Sequence, residues 1–244
     1  MDEGAYHCSH DCTFCSECTE SFKNVCPNCG GMLVPKVKRA LLLIDVQQAF
    51  LHPKWGSRNN PHAEEEMLLV LNEWRGLGWE VIHIRHRSHH PESVFHPSNE
   101  GFRFKEGFDP IHGETVLEKD VNSAFIGTGL EEHLRQLDVT EIVIVGLTTP
   151  HCISTSARMS SNLGFTTFVL SDATAAFDLF DPEDRTLAAF DLFDPEDRTL
   201  DASLVHDVSL ATLHGEFATV LKAADYIRAL FPDNSGASLQ CPLP

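Results

Sequence analysis

Three residues of the kind that can act together in catalysis fall at the ends of apolar runs. Asp45 closes ALLLIDV, Lys119 lies in VLEKD, and Cys152 follows EIVIVGL in the stretch VGLTTPHCISTSAR. A thiol becomes a strong nucleophile once it loses its proton. A carboxylate can take that proton, and an ammonium can steady both charges. Each residue also has a plainer reading, with Asp45 as a helix cap, Lys119 as a solvated lysine and Cys152 as a packed thiol. The surroundings of Cys152 favour chemistry. Thr149 can act as an N-cap and Pro150 suits a first helical position, which puts Cys152 in the first turn. There the helix dipole and free N–H groups favour thiolate, and the same N–H groups could receive an oxyanion.

The scaffold that must hold these residues reads as alternating strands and helices. ALLLIDV (40–46) and EIVIVGL (141–147) are continuous apolar runs, as in strands buried on both faces. WEVIHIR and ETVLEKD are the second and third strands, and FTTFVLSD (165–172) is a further one. Helices are expected over 64–75, 129–137 and 150–163, with glycines 76, 78 and 164 as stops. SLATLHGEFATVL and KAADYIRALF supply a last helix, a short strand and a closing helix. This order implies an α/β sandwich with a mostly parallel sheet, whose ligands bind beyond the carboxyl ends of the strands. One segment stands apart: AAFDLFDPEDRTL occurs at 175–187 and again, identically, at 188–200. A period of 13 is no solenoid. It reads as a local duplication in a helix-to-strand connection, with only one Phe-Asp-Leu-Phe set able to fill a pocket.

LLLIDVQQAF, VLEKDVNSAF and IVIVGLTTPHCISTSAR resemble the three signature segments of the isochorismatase-like cysteine hydrolase superfamily, and HDVSLATLHGEFATV resembles its C-terminal region. The resemblance covers roughly 39–231. It implies a Rossmann-like α/β/α sandwich, a catalytic Asp45–Lys119–Cys152 triad, and a cis peptide mapped to the Thr148–Thr149 bond. That bond would aim the N–H groups of Thr148 and Cys152 at the substrate as an oxyanion hole. The superfamily includes cysteine-containing amidases and isochorismatases without the cysteine, so Cys152 points to hydrolysis of an amide-type C–N bond. GLTTPHC is also similar to streptothricin-type cyclic-amide hydrolases, which makes a lactam a candidate substrate. Nicotinamidases carry a metal-binding Asp-x-His where this chain reads His86-Arg87-Ser88, so no catalytic metal is expected. The histidines at 83, 86, 89, 90 and 96 could bind a metal, but they lack a paired carboxylate or helical spacing and read mainly as a pocket rim or solvated loop. Among them His86 is expected to touch substrate, with Thr149, Phe50, Trp55 and Phe125 as further pocket residues.

Six of the eight cysteines lie in the first 29 residues, in the pattern C-x3-C-x2-C-x2-C-x7-C-x2-C. C-x2-C knuckles followed by glycines suit tetrahedral zinc in a reducing compartment. Cys8, Cys12, Cys15, Cys18, Cys26 and Cys29 are the candidate ligands, and two groupings are open. In one, Cys15, Cys18, Cys26 and Cys29 share a metal. In the other, Cys8 and Cys12 join Cys26 and Cys29, while Cys15 and Cys18 belong to a second site that His7 or His10 could complete. The spacing resembles the second half of a RING-like finger. CTFCSECTESFKNVCPNCGGMLV is similar to a small bacterial Cys-rich family of unknown function, whose start it lacks. A closed four-thiolate site is structural, so this segment reads as a scaffold or as a docking module for a protein partner.

The net charge of −18 argues against a basic nucleic-acid or lipid face. No run approaches a membrane span and the N-terminus lacks a signal-peptide pattern, so a cytoplasmic location is expected; a homo-oligomer is expected as well. The expected organisation is a zinc module over 1–35, a hydrolase domain over 36–231 and a loose tail over 232–244. The leading reading is a cysteine amidohydrolase for a small amide or lactam. The rivals are a vinyl-ether hydrolase and an interaction protein with an inactive hydrolase domain.

Overall fold

The computed structural model describes residues 5–8, 10, 12–35, 37–178 and 200–230. They fall into two compact units, one within Met1–Lys38 and one within Arg39–Phe231. The first is a small three-stranded antiparallel sheet, β1 (Tyr6–His7), β2 (Thr13–Phe14) and β3 (Val34–Pro35), with one short helix, α1 (Ser16–Ser21). Among the described residues its interior is Cys8, Cys26 and Leu33, with Tyr6, Cys12, Phe14 and Cys29 packed against them, a small core for an independent fold.

The second unit runs β4 (Arg39–Ile44), α2 (Ala63–Leu77), β5 (Glu80–His86), β6 (Thr115–Lys119), α3 (Leu130–Gln136), β7 (Glu141–Leu147), α4 (Ser154–Asn162), β8 (Thr166–Ala175), α5 (Ala202–Ala211), β9 (Thr219–Leu221) and α6 (Ala223–Leu230). The six strands are all parallel in the order β6-β5-β4-β7-β8-β9. Residues of β4 alternate between two cores, with Leu41 and Leu43 facing α2 and α6, and Ala40, Leu42 and Ile44 facing α3, α4 and α5. Helix α2 shows why the chain folds this way locally. Its apolar stripe Ala63, Met67, Val70, Leu71 and Trp74 is buried, as helical spacing requires. Glu64, Glu65 and Glu66 meet the positive helix end, and Gly78 closes the helix at φ 64°.

From β4 the chain moves outward to β5 and β6, then returns to β7 on the other side of β4. The strand order therefore reverses between β4 and β7, which opens a crevice beyond their carboxyl ends. Gly146 lets these two strands meet closely. A Cβ there would lie 2.0 Å from the Ile44 carbonyl oxygen. Strand β8 runs three residues past its expected end, so Ala175, the first residue of the repeat, belongs to the sheet. The duplicated segment therefore joins a strand to a helix, correcting the expected helix-to-strand connection. Asp178 Oδ1 accepts the Ala202 N–H at 2.9 Å, tying together the described ends of that connection. Phe180, Phe190, Phe193 and the tail 232–244 lie outside the described residues.

Candidate active site and thiol cluster

The carboxyl edge of the sheet brings the three reactive residues together. Asp45 follows β4 at φ 54°, a left-handed conformation that a short polar residue tolerates better than most. Its N–H donates to the Ile84 carbonyl at 2.8 Å and its carbonyl accepts the Gln47 N–H at 2.7 Å. Lys119 ends β6, and Cys152 lies in the turn after β7. Lys119 Nζ is 2.6 Å from Asp45 Oδ2, 3.2 Å from Cys152 Sγ and 3.3 Å from His86 Nδ1. Three N–H bonds thus meet three acceptors. Asp45, Lys119 and Cys152 are 1%, 2% and 8% exposed, so these charges act with little screening.

Burial pushes the Cys152 thiol far above its ordinary range, and the Asp45 carboxylate adds to that, against the Lys119 charge. This direction opposes the ionising effect expected of the helix end. Burial works against the Lys119 charge, but Asp45 outweighs it and holds the ammonium above its usual range. Asp45 Oδ1 is buried without a hydrogen-bond partner, and a carboxylate oxygen, the His86 ring and the sulfur lie within 4.8 Å of one another. That spacing would suit a metal ion, but the Lys119 ammonium contacts all three groups and already supplies the positive charge there. Burial, and then Lys119, lower the His86 pKa. The ring is neutral, accepts at Nδ1 and carries its proton on Nε2.

The turn bearing Cys152 differs from the expected one. Thr148 is the N-cap, with no side-chain cap bond, and Thr149–Ile153 form a π-helical turn before α4. The cis peptide lies at Leu147–Thr148, one bond earlier than the resemblance implied. Thr149 is fully buried and its hydroxyl lies 2.8 Å from His206 Nδ1. Thr148 Oγ1 contacts His151 Nδ1 at 2.9 Å.

Beside His86 stands an aromatic wall. Phe50 and Trp55 have ring centroids 5.0 Å apart, Phe95 and Phe177 join both, and Phe95 lies 5.2 Å from the His86 ring. Phe125 is not part of it. It stacks on Phe165, next to the amino end of β8, and packs into the core. The remaining histidines diverge. His83 is buried against Glu114, His89 meets Asp120, and His96 meets Ser98.

Several residues here were not singled out from the sequence. Gln47 accepts the His86 N–H and donates to the His86 and Phe102 carbonyls, fixing the end of β5. Asn122 Oδ1 lies 3.9 Å from Cys152 Sγ, while Ser156 Oγ accepts the Ala124 N–H and anchors the same loop. Phe95, Phe177 and His206 come from distant segments that no spacing links. For Gln47 and Asn122 the only signal was their place within two or three residues of Asp45 and Lys119.

The N-terminal unit holds a second cluster. Cys8, Cys12 and Cys26 sulfurs lie at metal-ligand spacing, and Cys8 Sγ is 3.5 Å from Cys29 Sγ. His10 N–H donates to Cys8 Sγ and Asn28 Nδ2 to Cys12 Sγ, contacts that suit thiolates. Cys15 and Cys18 do not join. They are exposed, and Cys18 N–H donates to Cys15 Sγ at 3.4 Å. The close contacts are two sets sharing Cys8, namely Cys8–Cys12–Cys26 and Cys8–His10–Cys29, and among the described residues neither includes Cys15 or Cys18. His10 lies with Cys8 and Cys29, away from the Cys15–Cys18 pair.

Comparison with known proteins agrees with this geometry. Residues 39–196 match the Isochorismatase domain family, and residues 1–39 match the family described as Protein of unknown function (DUF1272). The isochorismatase family protein YrdC of Bacillus subtilis is 52% identical over 75% of this chain and 91% of its own. A streptothricin hydrolase of Streptomyces noursei is 30% identical over 58% of this chain and 51% of its own. The crystal structure of an isochorismatase-family protein from Chromobacterium violaceum superposes with a TM-score of 0.72 at 41% identity, covering 79% of this chain and 93% of that one. With its six-stranded parallel sheet and two-thirds of its length matched, this chain belongs to the isochorismatase family of hydrolases.

Proposed function

We propose that this hydrolase is a cysteine amidohydrolase that cleaves a small carboxamide or lactam through an acyl-enzyme on Cys152. The observation that carries the reading is the Lys119 ammonium held between Asp45 and Cys152, with Asp45 Oδ1 left open as an acceptor. Asp45 takes the thiol proton as sulfur bonds to the carbonyl carbon, and the carbonyl pair moves onto oxygen. Lys119 offsets the negative charge, and the N–H groups of Thr148 and Cys152 serve the oxyanion. The C–N bond then breaks, and Asp45 passes its proton to the leaving nitrogen. Water attacks the thioester, giving one proton to Asp45 and its hydroxyl to the acyl carbon, and the proton returns to sulfur. Phe50, Trp55 and His86 form the binding wall, which suits a flat or cyclic acyl group, whereas Thr149, expected to touch substrate, is fully buried with its hydroxyl on His206 and does not join it. The kinship with a streptothricin hydrolase supports a lactam.

Cys8, Cys12, Cys26 and Cys29 fit a structural zinc ion: three sulfurs lie at ligand spacing, Cys29 Sγ lies 3.5 Å from Cys8 Sγ, and N–H donors suit thiolates there. Such a site has all four positions filled by protein, so it stabilises the 1–35 module and supplies no chemistry to the hydrolase domain over 36–231. Turnover of a panel of small carboxamides and lactams tests the reading. Cys152→Ser is expected to lose all turnover while its circular dichroism stays that of the parent. Turnover kept by this variant would move the enzyme to vinyl-ether hydrolysis, and a parent without turnover on any ester, ether or amide would mark the domain as inactive.

A further inference from the structure

We infer that His206 is a positioning residue for the nucleophile turn, holding Thr149 through a hydrogen bond of fixed direction. The inference rests on the amidohydrolase reading and adds a residue to it. Helix α5 is anchored at its start by two capping groups. Asp201 accepts the N–H groups of Ser203 and Leu204, and Asp178 accepts that of Ala202. One turn later His206 points inward, 4% exposed, with Nδ1 2.8 Å from the hydroxyl of Thr149. On the other side of the ring, Nε2 lies 3.4 Å from Asn60 Nδ2. That amide has two hydrogens, and the Ser171 and Thr174 carbonyls accept both at 2.8 Å. It has none left for the imidazole. The Ser171 carbonyl also meets the ring, and since Asn60 has no hydrogen to offer, Nε2 is the nitrogen that carries the ring proton. Nδ1 then carries the lone pair, and Thr149 is the donor. Burial lowers the His206 pKa and keeps the ring neutral.

This direction matters because Thr149 opens the π turn. Its neighbour Thr148 is a proposed oxyanion donor, and Cys152 lies three residues on. Both Thr149 and His206 are buried, so neither has water as a substitute partner. Losing the bond lets the turn relax, and small displacements of reacting groups cost large factors in rate. The helix that holds the turn begins where the duplicated segment ends. The Asp178–Ala202 tie therefore sets its position independently of the chain between them.

The test compares His206→Gln, His206→Asn, Thr149→Val and the double variant His206→Gln/Thr149→Val in the full chain. Asparagine places an acceptor oxygen where Nδ1 was, whereas glutamine places one nearer Nε2. Two rates are read per folded molecule: alkylation of Cys152 by iodoacetamide, and kcat on the amide panel. His206→Gln and Thr149→Val are each expected to slow both rates about tenfold or more, with KM changed less than about threefold. His206→Asn should stay within about threefold of the parent, and the double variant should be no slower than either single one. The inference is overturned if His206→Gln reacts at the parent rate, if His206→Asn is equally slow, or if the two losses multiply. Should His206→Gln fail to fold, Thr149→Val against His206→Asn makes the same distinction. A parent that alkylates at Cys152 but cleaves no amide refutes the hydrolytic reading alone, and the alkylation rates still decide the role of His206.

Discussion

Replacing Lys119 with methionine removes the charge on which the site is built and nearly keeps the side-chain volume. The Lys119 and Asp45 side chains are 0% and 1% exposed and lie 2.6 Å apart. Without the ammonium, Asp45 is a buried carboxylate whose second oxygen already lacks a partner. Breaking a buried pair from one side costs about 3–5 kcal/mol. A hydrolase unit of roughly 190 residues unfolds with an entropy near ~0.4 kcal/mol per kelvin, so Lys119→Met should melt about 8–12 °C below the parent. Asp45→Asn should also destabilise, because it strands the ammonium instead. The double variant Asp45→Asn/Lys119→Met leaves neither charge, and it should recover most of the deficit. Thermal melts of the four proteins by circular dichroism read the cycle directly. The single variants and the double should all lose turnover by about 10³-fold or more, since general-base assistance alone is worth about 10²–10⁴. A Lys119→Met protein that melts within about 2 °C of the parent would refute the reasoning. A double variant as unstable as the sum of the singles would do the same.

Metal analysis of the full chain should find about one zinc, lost in Cys8→Ser and Cys26→Ser and kept in a Cys15→Ser/Cys18→Ser double variant. Loss from that double variant instead would place the metal on the other grouping. Deleting 188–200 leaves Phe177 and Asp178 before the junction and a Leu-Asp-Ala sequence after it, because the copies are identical. The chain between Asp178 and Ala202 falls from roughly 23 to roughly 10 residues, which lowers closure cost by about 0.7 kcal/mol and should raise Tm by about 2 °C. A clear drop in Tm or turnover would show that the extra copy is a working element. Burial would raise the Glu64 carboxyl, but Arg58 and Lys105 outweigh it and hold it at about 2. A pKa depressed on folding contributes stability above the unfolded value near ~4.3, and that stability is lost as pH falls toward 2. Glu64→Gln should therefore cost about 2 kcal/mol at pH 7, allowing for solvent screening, and nearly nothing at pH 2 in denaturant titrations. Equal losses at both pH values would mean that the ion pairs do not carry the effect.

The sequence by itself determined the sheet, the switch point and the residues that meet there. Short, β-branched apolar runs such as EIVIVGL suit strands buried on both faces, and a parallel sheet with that chain order presents Asp45, Lys119 and Cys152 at one edge. Their identity as a set came from the resemblance of three short segments. What tertiary structure decided was the state of those residues. Position in a helical turn suggested an ionised Cys152, but burial beside a carboxylate depends on the whole fold and pushes the thiol pKa up. The π turn and the cis bond at Leu147–Thr148 are backbone choices that no residue type announces. Phe125 and Phe177 show the same division. Both are apolar residues in loops, and only the packing of remote segments sends Phe125 to the core and Phe177 to the wall. Spacing likewise left two metal groupings open for six cysteines, because C-x2-C pairs are locally equivalent. The small sheet breaks that equivalence by burying Cys8 and Cys26 and leaving Cys15 and Cys18 at the surface.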